Sequence, residues 1–142
     1  MRTNTKYLPL IISVILLAFL QTSLFSHPLS TDFEGKWTSV DENISLDLDL
    51  FQKGEDVEGY HCSVTKHAQR IDCRLESDNM GFSIKGSVKG NVAEVTFLST
   101  YCDEYGKARI VKCGDYLFWE VTEFPEGEFY LPLTAILERV GE

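Results

Sequence analysis

Residues Asn43–Phe51 read NISLDLDLF. Ile44, Leu46, Leu48 and Leu50 alternate with Ser45, Asp47 and Asp49, a period of two that puts four aliphatic side chains on one face and polar groups on the other. The same period recurs down the chain. EGYHCSV groups Tyr60, Cys62 and Val64 and leaves His61 on the solvated face; RIDCRLE groups Ile71, Cys73 and Leu75. GFSIKGSV aligns Phe82, Ile84 and Val88 around Gly86, and VAEVTFL aligns Ala93, Val95 and Phe97. YLFWEVTE aligns Leu117, Trp119 and Val121, and YLPLTAILERV aligns Leu131, Leu133, Ala135 and Leu137. KARIVKC has no clear phase. Turn-forming stretches (QKGED, KHAQ, ESDNMG, VKGN, YGK, CGD, FPEGE) separate these runs. Short strands at this spacing, with no convincing helical segment, predict an all-β fold: a single antiparallel up-and-down barrel of eight to nine strands. Leu46, Leu48, Tyr60, Phe82, Phe97, Leu117, Trp119 and Leu133 are expected to fill its interior, since eight strands enclose little more than their own side chains.

The N-terminus has a separate purpose. Arg2 and Lys6 precede an apolar run from Leu8 to Leu20, broken only by Ser13, and then QTSLFS. A basic start and a short apolar core describe a secretory signal peptide rather than a membrane span. Residues 1–26 are assigned to it, and residues 27–142 to one secreted or periplasmic domain. Losing two basic and no acidic residues takes the formal net charge from −9 to −11. Such a surface disfavours nucleic acid and anionic membranes and attracts cationic partners.

Four cysteines in an exported chain imply disulfides. Cys62 and Cys73 flank SVTKHAQRID, and Cys102 and Cys113 flank DEYGKARIVK; each pair is 11 residues apart around a polar turn. Residues placed symmetrically about a hairpin turn face each other across two strands, so two hairpin disulfides, 62–73 and 102–113, are expected.

Gly35-Lys36-Trp37 in the first strand and Arg139 in the last resemble the lipocalin and avidin group of small barrels. That resemblance implies a Gly-x-Trp closing one end, with the late basic residue stacked on the tryptophan. Biotin binding is not implied. Ser39 stands where the biotin binders favour an asparagine, and Asn43 roughly where they place a serine.

No motif for catalysis, cofactor or metal emerges: G-x-S-x-G, H-E-x-x-H and phosphate-cradling glycine loops are missing from the sequence. The expectation is a non-enzymatic protein without cofactor. Two loops stand out instead. TYCDEYGK sets Asp103 and Glu104 beside Tyr105, and TEFPEGEFY sets Glu126 and Glu128 among Phe124 and Phe129. Aromatic anchors beside carboxylates suit insertion into a basic cleft, with the acids steering the encounter. The chain therefore reads as an inhibitor- or immunity-type binding protein for a basic protein partner. The second reading is a carrier or sensor of a small hydrophobic ligand held by Trp37, Tyr60 and Trp119.

Overall fold

The computed structural model describes residues 31–41, 43–65 and 69–141; the predicted signal peptide and residues 66–68 of the predicted KHAQ turn lie outside the described residues. Nine strands follow in order: β1 (Gly35–Ser39), β2 (Ile44–Lys53), β3 (Asp56–Thr65), β4 (Ile71–Arg74), β5 (Ile84–Lys89), β6 (Val92–Phe97), β7 (Gly106–Cys113), β8 (Tyr116–Glu123) and β9 (Thr134–Arg139). One 3₁₀ turn, Glu76–Asp78, sits between β4 and β5. All pairings are antiparallel. β1, β2, β3, β5, β6, β7, β8 and β9 pair in sequence, and β9 returns to β1, which closes an eight-stranded barrel. Among the described residues no helix is long and apolar enough to cross a membrane.

β4 is the ninth strand, and its place matters. β5 pairs with β3 only over Asp56–Gly59, whereas β4 takes the remainder of the same edge, over His61–Val64. The barrel wall is thus completed by different strands at its two ends.

Those ends differ in construction. Lys53↔Asp56, Lys89↔Val92 and Cys113↔Tyr116 bracket two-residue turns that begin with Gly54, Gly90 and Gly114, each at a φ near +60°. Positive φ at the first turn residue alone is the II′ pattern, whose twist matches the strands it joins. The opposite end carries the longer connections, including residues 98–105 and 124–133.

Most of the predicted inward faces hold. Leu46, Leu48, Leu50, Ile84, Ala93, Val95, Phe97, Leu117, Trp119 and Leu137 are buried together with Trp37, Phe33 and Ile110. The unphased strand β7 turns Ala108 and Ile110 inward. Arg139 lies over the Trp37 ring, 4.4 Å from its centroid, and donates from Nη1 to the Glu34 carbonyl at 2.6 Å. Lys112 approaches the same ring at 5.3 Å.

Three expectations are corrected. On β3 and β4 the faces are reversed: Val57, Gly59, His61 and Ser63 point in, Tyr60, Cys62 and Val64 are half-exposed, and Asp72 is buried while Ile71 and Leu75 are exposed. Elsewhere, Phe82 lies on the outside with Phe51 and Tyr60, and Leu133 is exposed, its interior place taken by Leu131. Lastly, only the first disulfide forms. Cys62 faces Cys73 in register and is bonded to it, whereas Cys102 and Cys113 are free thiols. Gly106 and Lys107 begin β7 instead of turning the chain, so Cys113 ends this strand while Cys102 precedes its start, with the strand itself spanning about 23 Å at the rise of an extended chain.

Candidate functional site

The reversed phase of β3 and β4 brings polar side chains inside. His61, Ser63, Asp72, Ser83 and Ser99 are each at most 1% exposed. Buried polar groups persist only when hydrogen-bonded, and these are. Asp72 Oδ1 accepts from the Thr100 backbone N–H at 2.9 Å, from Thr100 Oγ1 at 3.0 Å and from His61 Nε2 at 3.3 Å. Its Oδ2 accepts from Ser99 Oγ at 2.6 Å and from the Tyr130 backbone N–H at 3.0 Å. A His61 tautomer with its proton on Nε2 donates to Asp72 and accepts from Ser83 Oγ at Nδ1, 2.8 Å away, which satisfies both ring nitrogens. Ser63 Oγ donates to the Tyr130 carbonyl at 2.8 Å.

Burial pushes the Asp72 carboxyl upward, but hydrogen bonds from His61, Ser99 and the Thr100 and Tyr130 amides outweigh it and hold the group well below the usual carboxylate range. Ser83, His61 and Asp72 share the composition of a Ser-His-Asp chain. All three are enclosed, with Ser83 and His61 1% and Asp72 0% exposed. The cluster fastens loops: one carboxylate joins β4 to the β6–β7 connection and to the β8–β9 connection.

The two acidic loops singled out in the sequence therefore meet at one end of the barrel. Cys102 Sγ lies 3.4 Å from the Glu126 carbonyl oxygen, and Tyr101 packs edge-on against Tyr130 with centroids 4.8 Å apart. Asp103, Glu104, Tyr105, Glu126 and Glu128 are all exposed, and Phe124 is 62% exposed. Phe129 is different. It is half-buried between Phe124 and Phe97, at 5.9 Å and 5.8 Å, and so anchors its loop to the core. At the edge of this surface Glu123 pairs with Lys107 at 2.8 Å. The result is a platform of exposed rings and carboxylates on a fixed backbone.

Of the carrier residues, Trp37 and Tyr60 border one open pocket of about 500 Å³, whereas Trp119 borders another. Trp37 and Trp119 are in the core, with their indole N–H groups donating to the Phe33 carbonyl at 3.0 Å and the Pro132 carbonyl at 2.9 Å. Tyr60, expected beside them, is on the outer face, against Phe82 at 5.0 Å and Phe51 at 6.2 Å. Among the described residues no three His, Cys, Asp or Glu side chains converge on a metal position.

Sequence reasoning missed Asp72, His61, Ser83, Ser99 and Thr100. One cue was present: Val57 and Gly59 lead in phase to His61 and Ser63, so carrying the parity of Val57 along β3 would have turned His61 inward. No protein-family model, curated protein or solved structure matches this chain.

Proposed function

We propose that this chain is an exported, non-catalytic binding protein of the inhibitor or immunity type, which engages a cationic protein partner through the platform formed by residues 98–105 and 124–133. The single observation that carries this reading is the convergence of the two loops on Asp72, which places Tyr101, Tyr105 and Phe124 among Asp103, Glu104, Glu126 and Glu128. Exposed aromatic groups at a fixed position lose little entropy on binding and serve as anchors. The surrounding carboxylates accelerate encounter with a basic surface and supply partners for Arg and Lys. The formal net charge, −9 for the full sequence and −11 once residues 1–26 are removed, acts in the same direction at long range.

Kinship with the lipocalin and avidin barrels belongs to this proposal, and the Trp37–Arg139 stack supports it. So does export, which the Cys62–Cys73 disulfide supports because such bonds persist in oxidising compartments. A basic cell-wall hydrolase or similar toxin is the partner class that fits an acidic exported inhibitor. The test mixes the protein, purified from the culture in which it is secreted, with a panel of basic hydrolases at low salt. Inhibition or co-migration that is abolished by the double variant Glu126→Lys, Glu128→Lys supports the reading. Neither effect across the panel, or effects unchanged in the variant, contradicts it.

A further inference from the structure

We infer that Tyr101, Tyr130 and Glu128 form a cradle for a guanidinium group, which Arg70 occupies in the free protein and an arginine of the partner takes over on binding. The inference rests on the platform reading above and names the chemistry recognised there.

The cradle is built from fixed parts. The Tyr130 backbone is held from both sides, its N–H by Asp72 and its carbonyl by Ser63. Its ring is braced edge-on by Tyr101, whose hydroxyl donates to the Ile71 carbonyl at 3.2 Å. Its own hydroxyl donates to Glu128 Oε2 at 3.2 Å, which sets a carboxylate at the hydroxyl edge of the ring. An aromatic face with an adjacent carboxylate is the arrangement that receives a planar cation.

Arg70 demonstrates the fit. Its Cζ lies 5.5 Å from the centroid of the Tyr130 ring. The guanidinium is raised above its ordinary value, chiefly by hydrogen bonding to Tyr130 and then by the charges of Tyr130, Tyr101 and Glu128. Yet Arg70 is exposed and, among the described residues, makes no ion pair; its Nη1 also donates to the neighbouring Gln69 carbonyl at 2.9 Å. Solvent-exposed cation–π contacts are weak, so this occupant is exchangeable. An arriving arginine can stack on the ring and reach Glu128 with its fork, as a lysine cannot.

The experiment titrates hexa-arginine and hexa-lysine peptides into the full protein and its variants by calorimetry at low salt. Lys53→Ala, at the opposite end of the barrel, is the control for loss of one positive charge. Arg70→Ala is expected to tighten hexa-arginine about three- to ten-fold relative to that control, and to tighten hexa-lysine less. Tyr130→Phe keeps the ring but frees Glu128, and is expected to reduce the preference for arginine while the fold remains intact. If Arg70→Ala matches Lys53→Ala, or weakens hexa-arginine binding, the cradle is overturned; continued loss of binding in Glu126→Lys, Glu128→Lys would then leave the platform standing. If neither peptide binds the unmodified protein, platform and cradle both fall.

Discussion

Asp72 accepts the backbone N–H of Tyr130 at 3.0 Å, a hydrogen bond that spans 58 residues of sequence. Together with the bond from Thr100, 28 residues away, it makes a buried side chain on a four-residue strand the common anchor of two loops. A carboxylate has about four lone-pair sites and accepts only, so it suits a place where several donors converge. No apolar residue could hold these loops, because their amides would be left without partners.

Removing that anchor should be costly. Asp72→Ala strands two backbone amides and a buried imidazole, and is expected to destabilise the fold by about 3–5 kcal/mol. Asp72→Asn keeps one acceptor oxygen and should cost less, about 2–3 kcal/mol. Urea unfolding measures both values, and hydrogen exchange should show lost protection at Thr100 and Tyr130 first. A loss below about 1 kcal/mol for the alanine variant would contradict the role given to Asp72.

The pH dependence follows from the depressed pKa of this group. The folded state keeps Asp72 ionised where the unfolded chain, with an ordinary carboxyl near 3.9, has begun to bind a proton. Its stabilisation is therefore complete above that value and is lost as pH falls through the lower folded one. The stability gap between the unmodified protein and Asp72→Asn should stay constant from about pH 7 to pH 5 and narrow below about pH 4. Urea midpoints across that range check it; a gap that widens in acid would reverse the assignment.

Arg139 stacks on Trp37 and hydrogen-bonds the Glu34 carbonyl, which ties the last strand to the entrance of the first. Arg139→Ala is expected to cost about 1–2 kcal/mol and to shift tryptophan emission, and Arg139→Lys to recover only part of the loss. An alanine variant as stable as the parent would show that the stack contributes nothing to closure.

Thiol counting tests the disulfide pattern. Under denaturing, non-reducing conditions two thiols per chain should react, and four after reduction. In the native protein exposed Cys113 should react faster than half-buried Cys102. Opening the Cys62–Cys73 bond should cost about 3 kcal/mol, as a loop of this size implies. A chain with no reactive thiol would restore the 102–113 bridge that the strand geometry opposes.

The barrel was legible in the sequence because most of its strands alternate cleanly; Leu46, Leu48 and Leu50 leave one choice of face. β3 misled for a physical reason. Tyr60, Cys62 and Val64 are more hydrophobic than Gly59, His61 and Ser63, so a burial argument selects the wrong side. The actual choice is set by hydrogen-bond partners on β4 and in two distant loops, which no local pattern can display. The second disulfide failed similarly. Spacing around YGK suggested a hairpin, but the tight turn lies at Gly114-Asp115, and β7 extends through the supposed bend. The acidic loops themselves were legible from composition, because exposed aromatic residues beside carboxylates need no long-range knowledge. Their convergence on Asp72 was not.

The central claim is that these two loops, joined by one buried carboxylate, are the face that meets a basic partner. Hydrogen exchange of the full protein with and without excess hexa-arginine peptide addresses it most directly. Binding should slow exchange within residues 98–105 and 124–133 and leave the Gly54, Gly90 and Gly114 hairpins at the other end unchanged. Protection confined to those hairpins or to the outer faces of β1 and β2, with the two loops unaffected, would contradict it.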